Sequence, residues 1–134
     1  MNDCPRDAVL RIRPTSLVTR AEPARQRIEV EIGTCRPLAG VVLTALQAEN
    51  RLASMPLGDL PEGTNECVFL LPMPRVSCGI RWLLSDATGQ TLAETVLAWS
   101  PPRDWTLYMV ASTHTDIGLH NSPYIQRFSN VANV

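Results

Sequence analysis

The sequence contains no lysine, and arginine supplies all twelve of its basic residues, which are interleaved with thirteen acidic ones. The formal net charge is −1. Binding to nucleic acid or to an anionic membrane surface requires a one-sided basic field. The sequence shows no such field, so we expect neither a nucleic acid nor a membrane as a partner.

Long apolar runs are also absent. No stretch approaches the roughly 20 apolar residues of a spanning helix. The first residues include an acid and lack the apolar segment of a secretory signal, so we expect a cytoplasmic protein. Apolar residues make up 45% of the chain and charged residues 19%, which is sufficient for a packed core and argues against disorder.

Cysteine is sparse and widely spaced. The four cysteines, Cys4, Cys35, Cys67 and Cys78, form no Cys-x-x-Cys pair. In a reducing compartment we expect them to be small, buried or half-buried thiols. A structural zinc site is the alternative, although the spacing typical of paired zinc ligands is missing.

Short apolar segments separated by turn signals dominate residues 8–99. Residues 27–32 alternate between charged and apolar, which places Ile28, Val30 and Ile32 on one face of a strand. Prolines lie between the segments, as the hydrogen bonding of a sheet favours. Six or so strands without an amphipathic helix predict a mostly-β fold, an antiparallel β-sandwich. The other expected strands are 9–13, 41–46, 67–71, 79–84 and 91–99.

A different pattern follows the adjacent prolines Pro101 and Pro102, which predict a short stiff linker. Residues 107–111 are continuously apolar, which is typical of a parallel strand covered on both faces. Residues 121–123, Asn-Ser-Pro, are a helix-start signature, and apolar residues recur beyond them at helical spacing. The expected organisation is a β-sandwich at 1–100, a linker at 101–104, and at 105–134 an incomplete strand–loop–helix start of an α/β domain.

His114 and Asp116 lie in the loop between that strand and that helix. Because they are two positions apart, their side chains point to the same side of an extended backbone. Enzymes of the α/β class place their sites at this end of a parallel strand. An imidazole nitrogen and a carboxylate oxygen are suitable zinc ligands. The pair is equally compatible with a hydrogen-bonded histidine and a helix-capping aspartate.

Residues 105–126 resemble the start of the catalytic domain in glycoside hydrolase family 38, the zinc-dependent retaining α-mannosidases. In that family an apolar strand runs into a His-x-Asp-x-Gly motif whose histidine and first aspartate bind zinc. The resemblance implies that His114 and Asp116 are zinc ligands and that the complete enzyme acts on a mannoside-like carbohydrate. The sequence departs from the family at Ser112, where many members have a second histidine, and at Leu119, where many have an aromatic residue.

The same resemblance implies groups that these residues do not supply: a further aspartate and histidine on the zinc, an aspartate nucleophile and a general acid. A retaining glycosidase needs two carboxyl groups about 5 Å apart, whereas residues 117–134 contain no Asp or Glu. We therefore expect an N-terminal portion of a glycosidase without catalytic residues of its own, inactive unless completed by further sequence or by a complementing chain.

Two alternatives stay open at this point. The chain could be a stand-alone β-sandwich binding module with a docking tail, or it could self-associate through the unpaired strand at 107–111. Individual residues also permit two interpretations. His120 is a third zinc ligand or a loop residue, and Trp82 and Trp99 form a sugar-stacking platform or, as their sequence context favours, pack inside the protein.

Overall fold

A computed structural model describes residues 7–111, which contain seven β-strands and no helix. The chain divides into two units, Met1–Arg103 and Asp104–Val134. All seven strands belong to the first unit. They are β1 (Ala8–Thr19), β2 (Arg25–Thr34), β3 (Leu38–Gln47), β4 (Asn50–Leu60), β5 (Gly63–Pro72), β6 (Cys78–Ser85) and β7 (Thr91–Trp99).

The strands form two antiparallel sheets, as predicted. One sheet has the order β1-β2-β5 and the other the order β4-β3-β6-β7. Apolar side chains from both sheets pack into a single core, which makes the unit a β-sandwich. The separation of β1, β2 and β5 from β3, β6 and β7 is the division of strands in immunoglobulin-like sandwiches. In this chain β4 pairs with β3 rather than extending the first sheet beyond β5.

The core lies between the inner faces of the sheets. Ile28, Val30 and Ile32 of β2 are at most 2% exposed, which confirms the face predicted from the alternation. Phe69 of β5 meets Trp82 of β6 edge to face, with ring centroids 5.0 Å apart and planes at 78°. Burying a large apolar side chain stabilises a fold by about 1.5–3 kcal/mol, so this contact between sheets is a major source of stability.

A buried polar contact joins the sheets at the end where β7 stops. The indole Nε1 of Trp99 donates a hydrogen bond of 2.7 Å to Oε1 of Gln26. The amide Nε2 of Gln26 donates in turn to the carbonyl of Thr15, at 2.6 Å. Gln26 and Trp99 are only 3% and 4% exposed. Because buried polar atoms need partners, this chain of hydrogen bonds fixes β7 against β1 and β2.

Two prolines lie inside strands, so the prediction that prolines lie between strands is wrong at these positions. Pro14 is in β1 and Pro56 is in β4, and both strands are at sheet edges. An edge position tolerates the missing N–H group because no neighbour is required on that side. The strand expected to end at residue 13 therefore continues to Thr19, past a register shift after Pro14. The sequence pattern does not predict β4 at all.

The apolar segment 107–111 forms no strand in the structure, so the strand predicted there is not confirmed. Leu107, Tyr108, Met109 and Val110 are 82–86% exposed. A strand of the buried type needs a hydrogen-bonded neighbour. Every strand pair within residues 7–111 is antiparallel and lies in the sandwich, so the parallel neighbour that this prediction requires is not among the described residues.

We expect Trp99→Phe to lower the free energy of unfolding by about 1–3 kcal/mol, because Oε1 of Gln26 loses its donor in a buried site. Gln26→Leu acts similarly by leaving the indole N–H without an acceptor. Since both changes remove the same hydrogen bond, the double variant should lose less than the sum of the single losses. Urea denaturation measures all three values.

The matched control is Thr44→Val, which removes the exposed hydrogen bond between Thr44 and Ser54. This change should stay within about 0.5 kcal/mol. Strictly additive losses at Gln26 and Trp99 would show that the two side chains do not stabilise each other.

Candidate functional site

The predicted zinc ligands His114 and Asp116 lie outside the described residues, as do His120 and the predicted helix. Within residues 7–111, no group of three or more His, Cys, Asp or Glu side chains is arranged to hold a metal ion. The metal site therefore stays a prediction from the sequence.

Among the described cysteines, Cys35, Cys67 and Cys78, no zinc site is formed. Cys35 is disulfide-bonded, so the expectation that all four cysteines are thiols is wrong for this residue. Cys67 and Cys78 are free and half-buried, as expected. Burial raises the pKa of the Cys67 thiol, which lowers its thiolate fraction at neutral pH and its reactivity as a nucleophile.

Trp82 and Trp99 are buried, at 2% and 4% exposure. Their faces are covered by the core, and a sugar ring cannot stack on them. The packing interpretation is confirmed, and a carbohydrate platform built from these two residues is excluded. The sequence context indicated this outcome, because Trp82 lies in an apolar segment and Trp99 ends an alternating strand.

Polar loops gather at the end of the sandwich opposite to Trp99, and three of their carboxylates, those of Asp7, Asp59 and Asp86, accept hydrogen bonds. Both oxygens of Asp7 accept hydrogen bonds from the Arg36 guanidinium, at 3.2 and 3.0 Å. Oδ1 of Asp59 accepts a hydrogen bond of 2.9 Å from the backbone N–H of Gly40. Gly40 has a φ of +60° and lies against Ala87, where an added Cβ would come within 2.7 Å of the alanine Cβ. These carboxylates close loops rather than form a site for catalysis.

Asp86 closes the turn between β6 and β7. Its Oδ1 accepts hydrogen bonds from the hydroxyl of Thr88 at 2.7 Å, from the N–H of Thr88 at 2.9 Å and from the N–H of Gln90 at 3.0 Å. These hydrogen bonds, first that from the Thr88 hydroxyl, lower the pKa of Asp86 below its ordinary value. The charged carboxylate of Asp86 therefore stabilises the turn. A group that transfers protons in catalysis needs instead a pKa near neutrality.

The outer face of the first sheet carries mixed charge, and we call it the charged face. Its charged members include Arg11, Arg13, Arg27, Glu29, Glu31 and Glu66. One ion pair is formed, between Arg11 and Glu31 at 3.1 Å. An exposed pair of this kind contributes about 0–1 kcal/mol. Because both signs are present, this face is not a one-sided basic surface.

An open groove lies between the edge strands β4 and β5, which belong to different sheets. Its lining mixes apolar side chains, among them Leu52, Met55, Leu57 and Phe69, with polar ones, among them Arg25, Ser54, Asp59, Asn65 and Glu66. Binding sites for small molecules are deeper and combine an apolar lining with convergent polar groups. The groove does not have that form.

Comparison of the chain with protein-family models and with curated proteins gives no match. Within the described part of the chain, there is also no helix of the length and apolar character that crossing a membrane requires.

We expect Asp86→Asn to lower stability at neutral pH and to have little effect in acid. The pKa of Asp86 is lower in the folded state, so its carboxylate contributes stability above the unfolded-state value, about 3.9. That contribution is lost as pH falls through the folded-state pKa. Thermal unfolding of the protein and the variant between pH 7 and pH 2 measures the difference.

Glu49→Gln serves as the control, since Glu49 is an exposed carboxylate in the β3–β4 turn. It should change the melting temperature little at any pH. A difference in melting temperature between Asp86→Asn and the unchanged protein that stays constant down to pH 2 would contradict the assigned role of the carboxylate.

Proposed function

We propose that this chain is the N-terminal portion of a zinc-dependent glycoside hydrolase that resembles the α-mannosidases. The observation that carries the proposal is the order of features after the sandwich: an apolar segment, then His114-x-Asp116-x-Gly118, then Ser122 and Pro123. A β-sandwich of seven strands and the Pro101-Pro102 linker precede this order. The proposed complete enzyme hydrolyses α-mannosidic or related bonds.

His114 and Asp116 are ligands of a type that zinc binds, but two ligands are too few for a stable site. An imidazole nitrogen and a carboxylate oxygen are ordinary zinc ligands, whereas stable protein zinc sites have three or four protein ligands. His114 and Asp116 would hold the metal together with a further aspartate and histidine from outside the 134 residues. When bound, zinc supplies a Lewis acid that holds sugar hydroxyls.

The catalytic carboxyl groups also come from outside these residues in the proposal. Hydrolysis with retention of configuration at the anomeric carbon requires a carboxylate nucleophile and a carboxylic acid about 5–5.5 Å apart. Within the sandwich, the carboxylates of Asp7, Asp59 and Asp86 close loops. No residue of the sandwich is therefore assigned a part in bond cleavage, and its task is to support the domain that follows.

One structural observation favours the alternative of a stand-alone binding module. Every fully buried apolar side chain among the described residues lies between Ala8 and Trp99. These side chains come from both sheets of the sandwich, and a domain with a hydrophobic core of its own is able to fold alone.

The cytoplasmic location expected from the sequence stays a prediction. The disulfide at Cys35 argues for an oxidising compartment, because cytosolic thiols are kept reduced.

The proposal predicts which length of the chain binds zinc and which is active. In calorimetric titration, the 134-residue chain alone should show no sub-micromolar zinc affinity, because two ligands do not make a tight site. The reading frame beyond Val134, continuous or displaced, should encode the missing aspartates and histidine. The chain extended through that sequence should bind zinc and hydrolyse an aryl α-mannoside.

In the extended protein, His114→Ala and Asp116→Ala should each lower kcat/KM by about a hundredfold or more, since a metal contributes several kcal/mol. His120→Ala is the matched control and should change it only a few-fold. Sub-micromolar zinc affinity of the chain alone would contradict the proposal. So would carbohydrate binding that survives deletion of residues 103–134, which would establish the stand-alone module instead.

A further inference from the structure

The strand β5 forms one edge of the first sheet and differs from the other three edge strands. β1, β4 and β7 each meet their neighbours with a register shift. β5 is paired with β2 along its whole length, from Gly63 to Pro72, without a shift. Natural sheet edges are usually protected by proline, irregularity or charge, and a long regular edge is a site where another strand adds.

The side chains of β5 also suit strand addition. Val68 and Leu70 point to the outer face and are 37% and 44% exposed. Glu66 is the single charged residue between Gly63 and Pro72. The edge therefore presents backbone N–H and carbonyl groups next to apolar side chains. The single carboxylate, that of Glu66, would determine the register of an added strand.

Glu66 and Arg27 are among the charged residues near this edge that have no ion-pair partner within residues 7–111. Glu66 lies directly opposite Glu31, and Glu31 is already paired with Arg11. Within residues 7–111, the carboxylate of Glu66 forms neither a hydrogen bond nor an ion pair. The guanidinium of Arg27, which lies opposite Leu70, has no ion-pair partner there either.

We propose that β5 pairs with β5 of a second copy of this chain, antiparallel about a two-fold axis at Val68. In an antiparallel pair, opposed residues share a face. The axis must therefore pass through a residue rather than between two residues. Only axes at Cys67 and at Val68 use nearly the full strand, and the charges distinguish between them.

An axis at Cys67 would place Glu66 opposite Val68 of the other copy, beside Glu29, because Val68 and Glu29 are opposed in the sheet. Carboxylates would then meet carboxylates. An axis at Val68 places Glu66 opposite Leu70 of the other copy, beside the unpaired Arg27. Charge complementarity selects the axis at Val68.

The resulting arrangement joins two three-stranded sheets into one continuous sheet. The two Val68 side chains meet at its centre. Strands lie about 4.8 Å apart, so the backbone positions of Arg27 and Glu66 of the other copy are roughly 10 Å apart, and their long side chains extend toward each other over Leu70. Two-fold symmetry repeats this pair, so the interface is self-complementary. An unrelated extended peptide would not in general carry the matching carboxylate, which favours a second copy as the occupant.

Sedimentation equilibrium of the full 134-residue chain tests the proposal. We expect a monomer–dimer equilibrium that Val68→Asp weakens about fivefold or more, because two like charges then face each other across the axis. Val96→Asp is the matched control on the β7 edge, where Val96 is 61% exposed. It should leave the equilibrium unchanged.

Charge exchange tests the alignment without changing the backbone. Glu66→Arg should raise the melting temperature of the dilute monomer, because the new side chain faces Glu31, yet weaken dimerisation about two- to fivefold. Arg27→Glu should weaken it similarly, and the double variant should recover the original dimerisation constant. A strict monomer at the highest attainable concentration would overturn the proposal. So would association that neither Val68→Asp nor Glu66→Arg changes, which would place the contact in another part of the chain.

Discussion

The contact between Trp82 and Phe69 holds the two sheets against each other, and the remaining features of the sandwich depend on that closure. Around this contact the inner faces are filled by aliphatic side chains with almost no exposure. The hydrogen bond between Trp99 and Gln26 completes the core at one end with a polar group that is fully satisfied. Once the sheets are fixed in this way, each edge strand and each loop has a defined position.

This closure explains why the sandwich carries little chemistry of its own. Trp82 and Trp99, which would suit a sugar ring, are buried in the core, and Asp7, Asp59 and Asp86 at the opposite end close loops. The charged face mixes both signs and forms a solvated surface. What the sandwich offers to other molecules is backbone at its edges, above all along β5. The proposed hydrolytic chemistry therefore rests on the segment around His114 and Asp116, and the interaction proposal rests on the sandwich.

The sequence predicts the central strands well because their alternation reflects burial on one side. Arg25–Thr34 and Cys78–Ser85 are examples, with apolar side chains on the inner face. β4 is not recognised, because Pro56 and Gly58 interrupt it and its burial is partial throughout. An edge strand tolerates such residues because it has no hydrogen-bonded neighbour on one side. Their presence therefore does not argue against a strand.

Two other differences have physical causes outside local sequence. Residues 107–111 have the composition of a covered strand, but strand formation requires a neighbour that residues 7–111 do not supply. The disulfide at Cys35 depends on which residues the fold brings together, and spacing along the chain does not reveal this. The predicted ligands His114 and Asp116 lie outside the described residues, so their geometry is known only as a prediction.

Hydrogen exchange along the whole chain tests the central claim, a core closed between the two sheets and pinned at Trp99. The account predicts slow exchange for the central strands β2, β3 and β6 and for the indole N–H of Trp99, with rapid exchange for the amides of residues 107–111. Exchange of the Trp99 indole at the rate of free indole would contradict it, as would protection of residues 107–111 equal to that of β2.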